Sequence, residues 1–272
     1  MLVRKIIFSI LNLFDQYKEK IPSLFIQKFI KHPDLPKKDK QRIRVCVNEI
    51  IRFRGLLDHV IEIGSERKIK FINPKIRNVL RLGIYELVFD DNIPDFAAIH
   101  SNVELAKKSI NKKSSSMVNA VMRNIQRFSI ENECWKNSLI KENKELAFPR
   151  WLLKKWRNEF GEKETNILCN EFLIKKNMYI RLDIERLGVD KMVSILSLDN
   201  IELIQHDHFK YFFKVVLGQK NILDNNLFRE SIISIQDPAA GAVVELIDPQ
   251  ENDFILDVCA APGTKSLFMA QK

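Results

Sequence analysis

From Leu2 to about Phe148 the apolar residues recur at three- and four-residue intervals, and this spacing restricts that part of the chain to packed helices. Ile6, Ile7, Ile10, Leu11 and Phe14 form one stripe. Ile43, Val47, Ile50 and Ile51, extended by Arg54, form a second. Ile76, Val79, Leu80, Gly83, Ile84, Leu87 and Val88 form a third, and Met117, Val118, Val121, Met122, Ile125 and Phe128 a fourth. Breaks fall at Pro22, Pro33-Asp34-Leu35-Pro36, Gly64-Ser65, Asn73-Pro74 and Ile93-Pro94, where a proline ends one helix or opens the next. No alternating pattern competes, so the region reads as an all-α domain with a basic loop at "KKSINKKSSS".

The start, "MLVRKIIFSILNLF", places positive residues before an apolar stretch. Asn12 interrupts the run and Asp15-Gln16-Tyr17 stands where a small-residue cleavage site would be, so an amphipathic first helix is the reading favoured over a signal peptide. Nothing approaches the roughly 20-residue apolar run of a membrane span. Cys46, Cys134, Cys169 and Cys259 lie far apart, without the paired spacing of a disulfide framework or a zinc cluster, which fits a reducing cytoplasm. The formal charge of +9 is uneven: residues 1–150 carry 29 Lys+Arg against 17 Asp+Glu, and residues 151–272 carry 15 against 18. A basic first half suggests a polyanion-binding module beside a more neutral domain; a solvated lysine-rich surface explains the same counts.

The texture changes after the join "FPRWLLKKW" and a helix through Phe172. "YIRLDI", "IELIQHDHF", "YFFKVVL" and "SIISIQD" are short β-rich runs, with a helix at "GVDKMVSILSL" between the first two. "PAAGAVVELI" opens a helix with Pro238 in its first turn. It leads into "FILDVCA", expected as a strand, then a loop of small residues and a last helix. A strand ending in Asp257, a narrow Ala260-Ala261 loop, a glycine at 263 and a helix start together make a ligand site of the kind found at the carboxyl edge of α/β sheets. His206 and His208 of "HDH" are read as lying on one strand face, more simply a solvated face than a metal pair, and no metal is expected. Asp237 is read as a cap for the helix after it, and His100 as a surface or packing residue.

"IRNVLRLGIYELVFDDNIPDFAAIHSNVELAKK…SSSMVNAVMRNIQRF" resembles the NusB fold, an all-α RNA-binding domain. "FPRWLLKKW", "YIRLDI", "SIQDPAAGAVVEL" and "ILDVCAAPGTKS" follow in the order seen in Sun-type (Fmu-type) ribosomal RNA cytosine-5 methyltransferases, so the resemblance covers essentially the whole chain. It implies a multidomain protein: a NusB-like all-α RNA-binding domain over 1–148, a helical linker and small α+β segment over 149–237, and the start of a Rossmann-like α/β methyltransferase domain over 238–272. It implies S-adenosyl-L-methionine as cofactor, its methionine end lined by Cys259, Ala260, Ala261, Pro262, Gly263, Thr264 and Lys265. It implies 16S ribosomal RNA as partner, with Arg42, Arg44, Arg52, Arg54, Lys107, Lys108, Lys112 and Lys113 as candidate contacts. A cytoplasmic monomer, away from membranes, is expected.

The family's loop usually carries a second glycine where this chain has Thr264, which would be either a strained β-branched residue or a helix cap. The family's catalytic cysteines stand well beyond the loop, so no catalytic residue is assigned, and the chain is expected to be an N-terminal portion with little methyl transfer of its own. Cys259 reads as a small wall residue of the loop, and Cys46 as core. The reading from a different class is a non-catalytic NusB-type RNA-binding module in transcription or ribosome assembly.

Overall fold

The computed structural model describes residues 2–17, 21–31, 35–132, 135–174 and 176–272. Cys134 and the Pro33-Asp34 break lie outside them. The chain forms two compact units, Met1–Ile174 and Lys175–Lys272.

The first unit is helical: α1 (Leu2–Gln16), α2 (Pro22–Ile30), α3 (Lys37–Arg52), α4 (Arg54–Ser65), α5 (Pro74–Val88), α6 (Asp95–Ser109), α7 (Lys112–Glu131), α8 (Trp135–Asn143) and α9 (Arg150–Leu173). The four apolar stripes become its core, with Ile7, Ile10, Ile43, Val47, Ile50, Val79, Leu80, Val118 and Met122 essentially sealed from solvent. The prolines act where the sequence puts them. Pro22 and Pro74 sit in the first turns of α2 and α5, and Pro36 and Pro94 cap α3 and α6. Asn73 and Asn111 each accept a backbone N–H from the first turn of the helix they precede, α5 and α7.

Helix α5 is buried almost all round and carries charge into the core. The Glu86 carboxylate, with its side chain at 0% exposure, accepts from Arg4 Nε of α1 (2.9 Å), Arg42 Nη2 of α3 (3.3 Å) and Asn102 Nδ2 of α6 (2.8 Å). Arg81 donates to both oxygens of Asp58 (2.7 and 2.8 Å) and to Asp15. Each buried charge is therefore paired and hydrogen-bonded, the condition under which it is tolerated away from water.

Helix α9 is broken at Gly161 (φ 79°, ψ 175°), a conformation that a Cβ would strain. Beyond the break, Phe172 stacks on Trp156 at 5.6 Å and 9°, Phe148 closes on both rings, and Arg52 of α3 donates to the Phe172 carbonyl.

The second unit is a four-stranded antiparallel sheet of β1 (Met178–Leu182), β2 (Glu202–Gln205), β3 (Phe212–Leu217) and β4 (Ile233–Ile235), in the order β2-β3-β1-β4. Helix α10 (Val189–Leu198) connects β1 to β2 and packs Met192 and Leu196 into the sheet's core. The short α11 (Asn226–Arg229) precedes β4. Helices α12 (Pro238–Ile247) and α13 (Thr264–Gln271) follow and pack on each other through Val244 and Phe268, with Phe212 of β3 between them.

Two local expectations are corrected. Residues 254–258 form no strand: the backbone is irregular, and Phe254, Leu256 and Val258 are 105%, 85% and 83% exposed. The composition favours a buried strand, yet a strand exists only when its N–H and C=O groups pair with neighbours. None of the four described strands pairs with it. His206 and His208 fall after the last residue of β2, in the hairpin turn, where His206 Nδ1 accepts the His208 backbone N–H (3.1 Å). That local bond fixes a turn rather than an alternating strand face.

Candidate nucleic-acid interface and cofactor loop

In the second unit, residues 257–263 form a loop ahead of α13, exposed from Val258 to Pro262. Asp257 organises it: Oδ1 accepts the Cys259 backbone N–H (3.1 Å) and Oδ2 accepts the Ser266 hydroxyl (2.8 Å). The carboxylate thus ties the loop's entry to the first turn of the helix. Gly263 is the N-cap of α13 at φ 102°, with nothing within 4 Å of the position a Cβ would take. Thr264 is the first helical residue and is neither at positive φ nor a side-chain cap, so both alternatives weighed for it fall. The φ > 0 requirement is met one residue earlier, by Gly263, and at the first helical position a threonine backbone is unstrained.

No side chain caps α13, so its first N–H groups remain available and their partial positive charge faces the loop. Such an end suits a carboxylate. Cys259, Ala260, Ala261 and Pro262 are exposed along the loop, and Gly263, Thr264 and Lys265 are half-buried at the helix start. Beside them, Gln250, Asp253, Asp257, Ser266, Met269 and Lys272 line an open cleft of about 540 Å³. Asp257 of the loop and Ser266 in the first turn of α13 both line the cleft; Asp257 is the carboxylate expected at a strand end, and no local sequence pattern marks Ser266.

Helix α13 is anchored from below by Arg181 of β1, which is 2% exposed. Its Nε donates to Gln236 Oε1 (2.8 Å), its Nη1 donates to Gln271 Oε1, and its guanidinium lies over the Phe268 ring at 4.5 Å. The Gln271 amide donates in turn to Asp183 (3.0 Å). Burial lowers the Arg181 pKa to about 10, which leaves it cationic at neutral pH. Asp237 caps α12 by accepting the Ala239 N–H (2.8 Å).

The described cysteines do not form a nucleophilic centre. Cys46 is buried in the first unit and desolvation pushes its thiol up to about 11. Cys169 is buried as well, with its pKa raised by desolvation. Cys259 is exposed, within the loop.

In the first unit the candidate cations divide by their partners. Arg42 is held by Glu86 and Asp90, Arg54 by Asp15 (2.8 Å), and Arg52 by Glu49 and the Phe172 carbonyl. Lys107 and Lys108 reach Glu104 at 3.8 and 3.6 Å, loose surface pairs that compete weakly with other anions. Arg44, Lys112 and Lys113 are exposed. Lys107, Lys108, Lys112 and Lys113 flank the short turn between α6 and α7, so the fold brings those four to one end of the helical pair. Arg42, Arg44, Arg52 and Arg54 belong to α3 and the start of α4.

Beside Lys113, an open cleft of about 490 Å³ is lined by Ser65, Arg67, Asn111, Ser114, Met117 and Asn124. Arg67 was not among the residues singled out by sequence. Its position follows from the left-handed Glu66 (φ 53°) that ends α4 and turns the chain toward α7. The only available signal was the basic run after the Gly64-Ser65 break.

Residues 1–127 match the NusB family. The chain is 31% identical over 277 residues to a Synechocystis protein named probable ribosomal RNA small subunit methyltransferase B, covering 98% of this chain and 60% of that protein. It is 28% identical over 252 residues to the Bacillus subtilis protein of the same name, covering 92% of this chain and 55% of the relative. The chain thus spans rather more than half the length of these relatives. The crystal structure of PH0851 shares the fold, with a TM-score of 0.59 at 19% identity over 99% of this chain and 60% of that one.

Proposed function

We propose that the chain is a member of the ribosomal RNA small subunit methyltransferase B family and acts in the S-adenosylmethionine-dependent methylation of cytosine C5 in 16S ribosomal RNA, a reading supported by the NusB match and the two relatives. In this reading the helical unit holds RNA, and Cys259 to Lys265, the loop and the first residues of α13, hold the methionine end of the cofactor. The uncapped start of α13 behind Gly263 is the observation that carries the cofactor role. The positive φ and open space at Gly263 let a ligand approach the backbone, and the free N–H groups of Thr264 and Lys265 would take the methionine carboxylate. Bound there, the cofactor would supply an electrophilic methyl group on a sulfonium.

Cytosine C5 is a poor nucleophile, so the reaction calls for a thiolate that adds to the base and for a base withdrawn from its stack. Cys46 and Cys169 are buried with raised pKa values, and Cys259 lies within the proposed cofactor loop, so none of them is assigned that role.

For RNA, the reading rests on the NusB match and on Arg67 and Lys113 facing one cleft. Calorimetric titration of S-adenosylmethionine tests the cofactor role: Gly263→Val should lose roughly tenfold or more in affinity, since a β-branched residue at that φ is strained by about 1–3 kcal/mol. Equal binding by the variant, or none by the parent, defeats it. RNA affinity measured against salt tests the other half, because each phosphate contact removed by Arg67→Ala or Lys113→Ala should lower the slope by about 0.7–0.9. Salt-dependent RNA binding without cofactor binding would select the second reading, a NusB-type RNA-binding module. The unpaired stretch 254–258 is the feature that favours it.

A further inference from the structure

Helix α9 carries a surface that the fold itself does not use. Trp151 stands at its second position and is 67% exposed. Among the described residues no ring or cation stacks on it, whereas Trp156, five residues on, is packed against Phe148 and Phe172. Lys154, Lys155 and Asn158 follow Trp151 at the three-, four- and seven-residue spacings that share a helix face, and all are exposed. Together with Glu159 at the far end they line one open depression of about 420 Å³. Arg150 is exposed beside the indole, and the helix start has no side-chain cap, so its partial positive end lies at the same place.

A bare aromatic face ringed by three cations and a helix N-terminus is complementary to a polyanion that also carries flat rings. We propose that the Trp151–Lys154–Lys155 face of α9 is a stacking platform for an unpaired base of single-stranded RNA. The indole takes the base, Lys154 and Lys155 take adjacent phosphates, and the Asn158 amide faces the base edge. Single-stranded rather than duplex RNA is specified because the base faces of a duplex are already covered by their neighbours. The proposal deepens the RNA-binding reading above and adds a contact beyond the residues that match the NusB family.

The test uses the full chain with two fluorescent probes, a short single-stranded RNA of mixed sequence and the same sequence annealed to its complement. Anisotropy is followed over a range of salt. Trp151→Ala should weaken the single strand roughly tenfold while changing duplex binding little, since one stacked base is worth about that much. Trp151→Phe, which keeps a ring, should recover most of the loss. The pair Lys154→Ala and Lys155→Ala should reduce the salt slope for the single strand by about 1.4, at about 0.7 per phosphate contact. Unchanged single-strand affinity in Trp151→Ala, with Arg67→Ala and Lys113→Ala still weakening it, would overturn the platform and leave the RNA reading intact. Absence of RNA binding by the parent would overturn both. If Trp151→Ala instead abolished self-association while leaving RNA affinity alone, the face would be a protein interface and the proposal wrong.

Discussion

Replacing Arg181 by methionine keeps an unbranched apolar stem, shorter by the guanidinium end, and removes the charge and donors, so it tests what the guanidinium does for α13. Two hydrogen bonds from a charged donor are lost, to Gln236 and Gln271, each worth about 1.5–3 kcal/mol. The contact with the Phe268 face adds up to about 2 kcal/mol. Against this stand the desolvation of a cation that is 2% exposed and its Nη2, which is buried without a partner; the latter alone costs about 1–3 kcal/mol. The carbonyl oxygens of Gln236 and Gln271 would also be stranded. The balance is a loss of about 2–4 kcal/mol, confined to the second unit. All three tryptophans, Trp135, Trp151 and Trp156, lie in the first unit, so their fluorescence should melt unchanged. Hydrogen exchange read by mass spectrometry on peptides spanning β1 and α13 should accelerate, and S-adenosylmethionine affinity should fall with it. Arg181→Lys should be intermediate, since an ammonium keeps the charge but cannot fork to two amides. If the methionine variant exchanged no faster in α13, or became more stable, desolvation would outweigh the contacts and the anchoring argument would be wrong.

Two further outcomes follow from buried charge in the helical unit. Glu86→Gln leaves Arg4 and Arg42 facing a neutral amide and should cost about 3–5 kcal/mol, lowering the tryptophan-monitored melting temperature by about 6–20 °C. An unchanged midpoint would mean that these pairs contribute nothing. Cys46 supplies a pH dependence: its folded pKa of about 11 lies above the ordinary value of 9.0, so between those limits the unfolded chain has lost a proton that the folded one keeps. Stability should therefore decline from pH 9 toward pH 11, by up to about 2–3 kcal/mol, and the decline should flatten in Cys46→Ala. Chemical denaturation at stepped alkaline pH reads this, and identical slopes for both proteins would contradict it.

What the sequence revealed and what it hid divide along local and non-local physics. Helical spacing, proline positions and the Asp237 cap depend on residues a few places apart: the four stripes fall in α1, α3, α5 and α7 and the four strands where the β-rich runs lie, while the start of α4 at Arg54 and the break of α9 at Gly161 cut across the expected helices. The pairing of charges does not. Arg4 and Glu86 are 82 residues apart and Arg42 and Asp90 are 48, so Arg42, Arg52 and Arg54 looked like open basic residues while the fold ties each to a partner. Phe254 to Val258 has the composition of a strand, but strand formation depends on neighbours that no local pattern reports. At the loop, the positive φ expected at Gly263 is found there, while neither the strain nor the cap considered for Thr264 occurs. Ser266 was passed over because a serine in a helix's first turn signals nothing until the carboxylate it bonds is located.

The break at Gly161 has a further consequence. Sixteen residues of uninterrupted helix would carry Phe172 about 24 Å from Trp156, yet their rings are 5.6 Å apart. One residue at positive φ therefore turns a rod into a hairpin, and the contacts that hold the second arm, residues 162–173, include the aromatic closure, the Arg52 bond, the Arg157–Glu162 ion pair and Leu173 packed against the helical core. With Ile167 and Phe172 about half exposed, that arm buries little per residue. An arm joined through one hinge and burying little per residue is expected to open at a lower free energy than the helical core, so its amides should exchange ahead of those of α5.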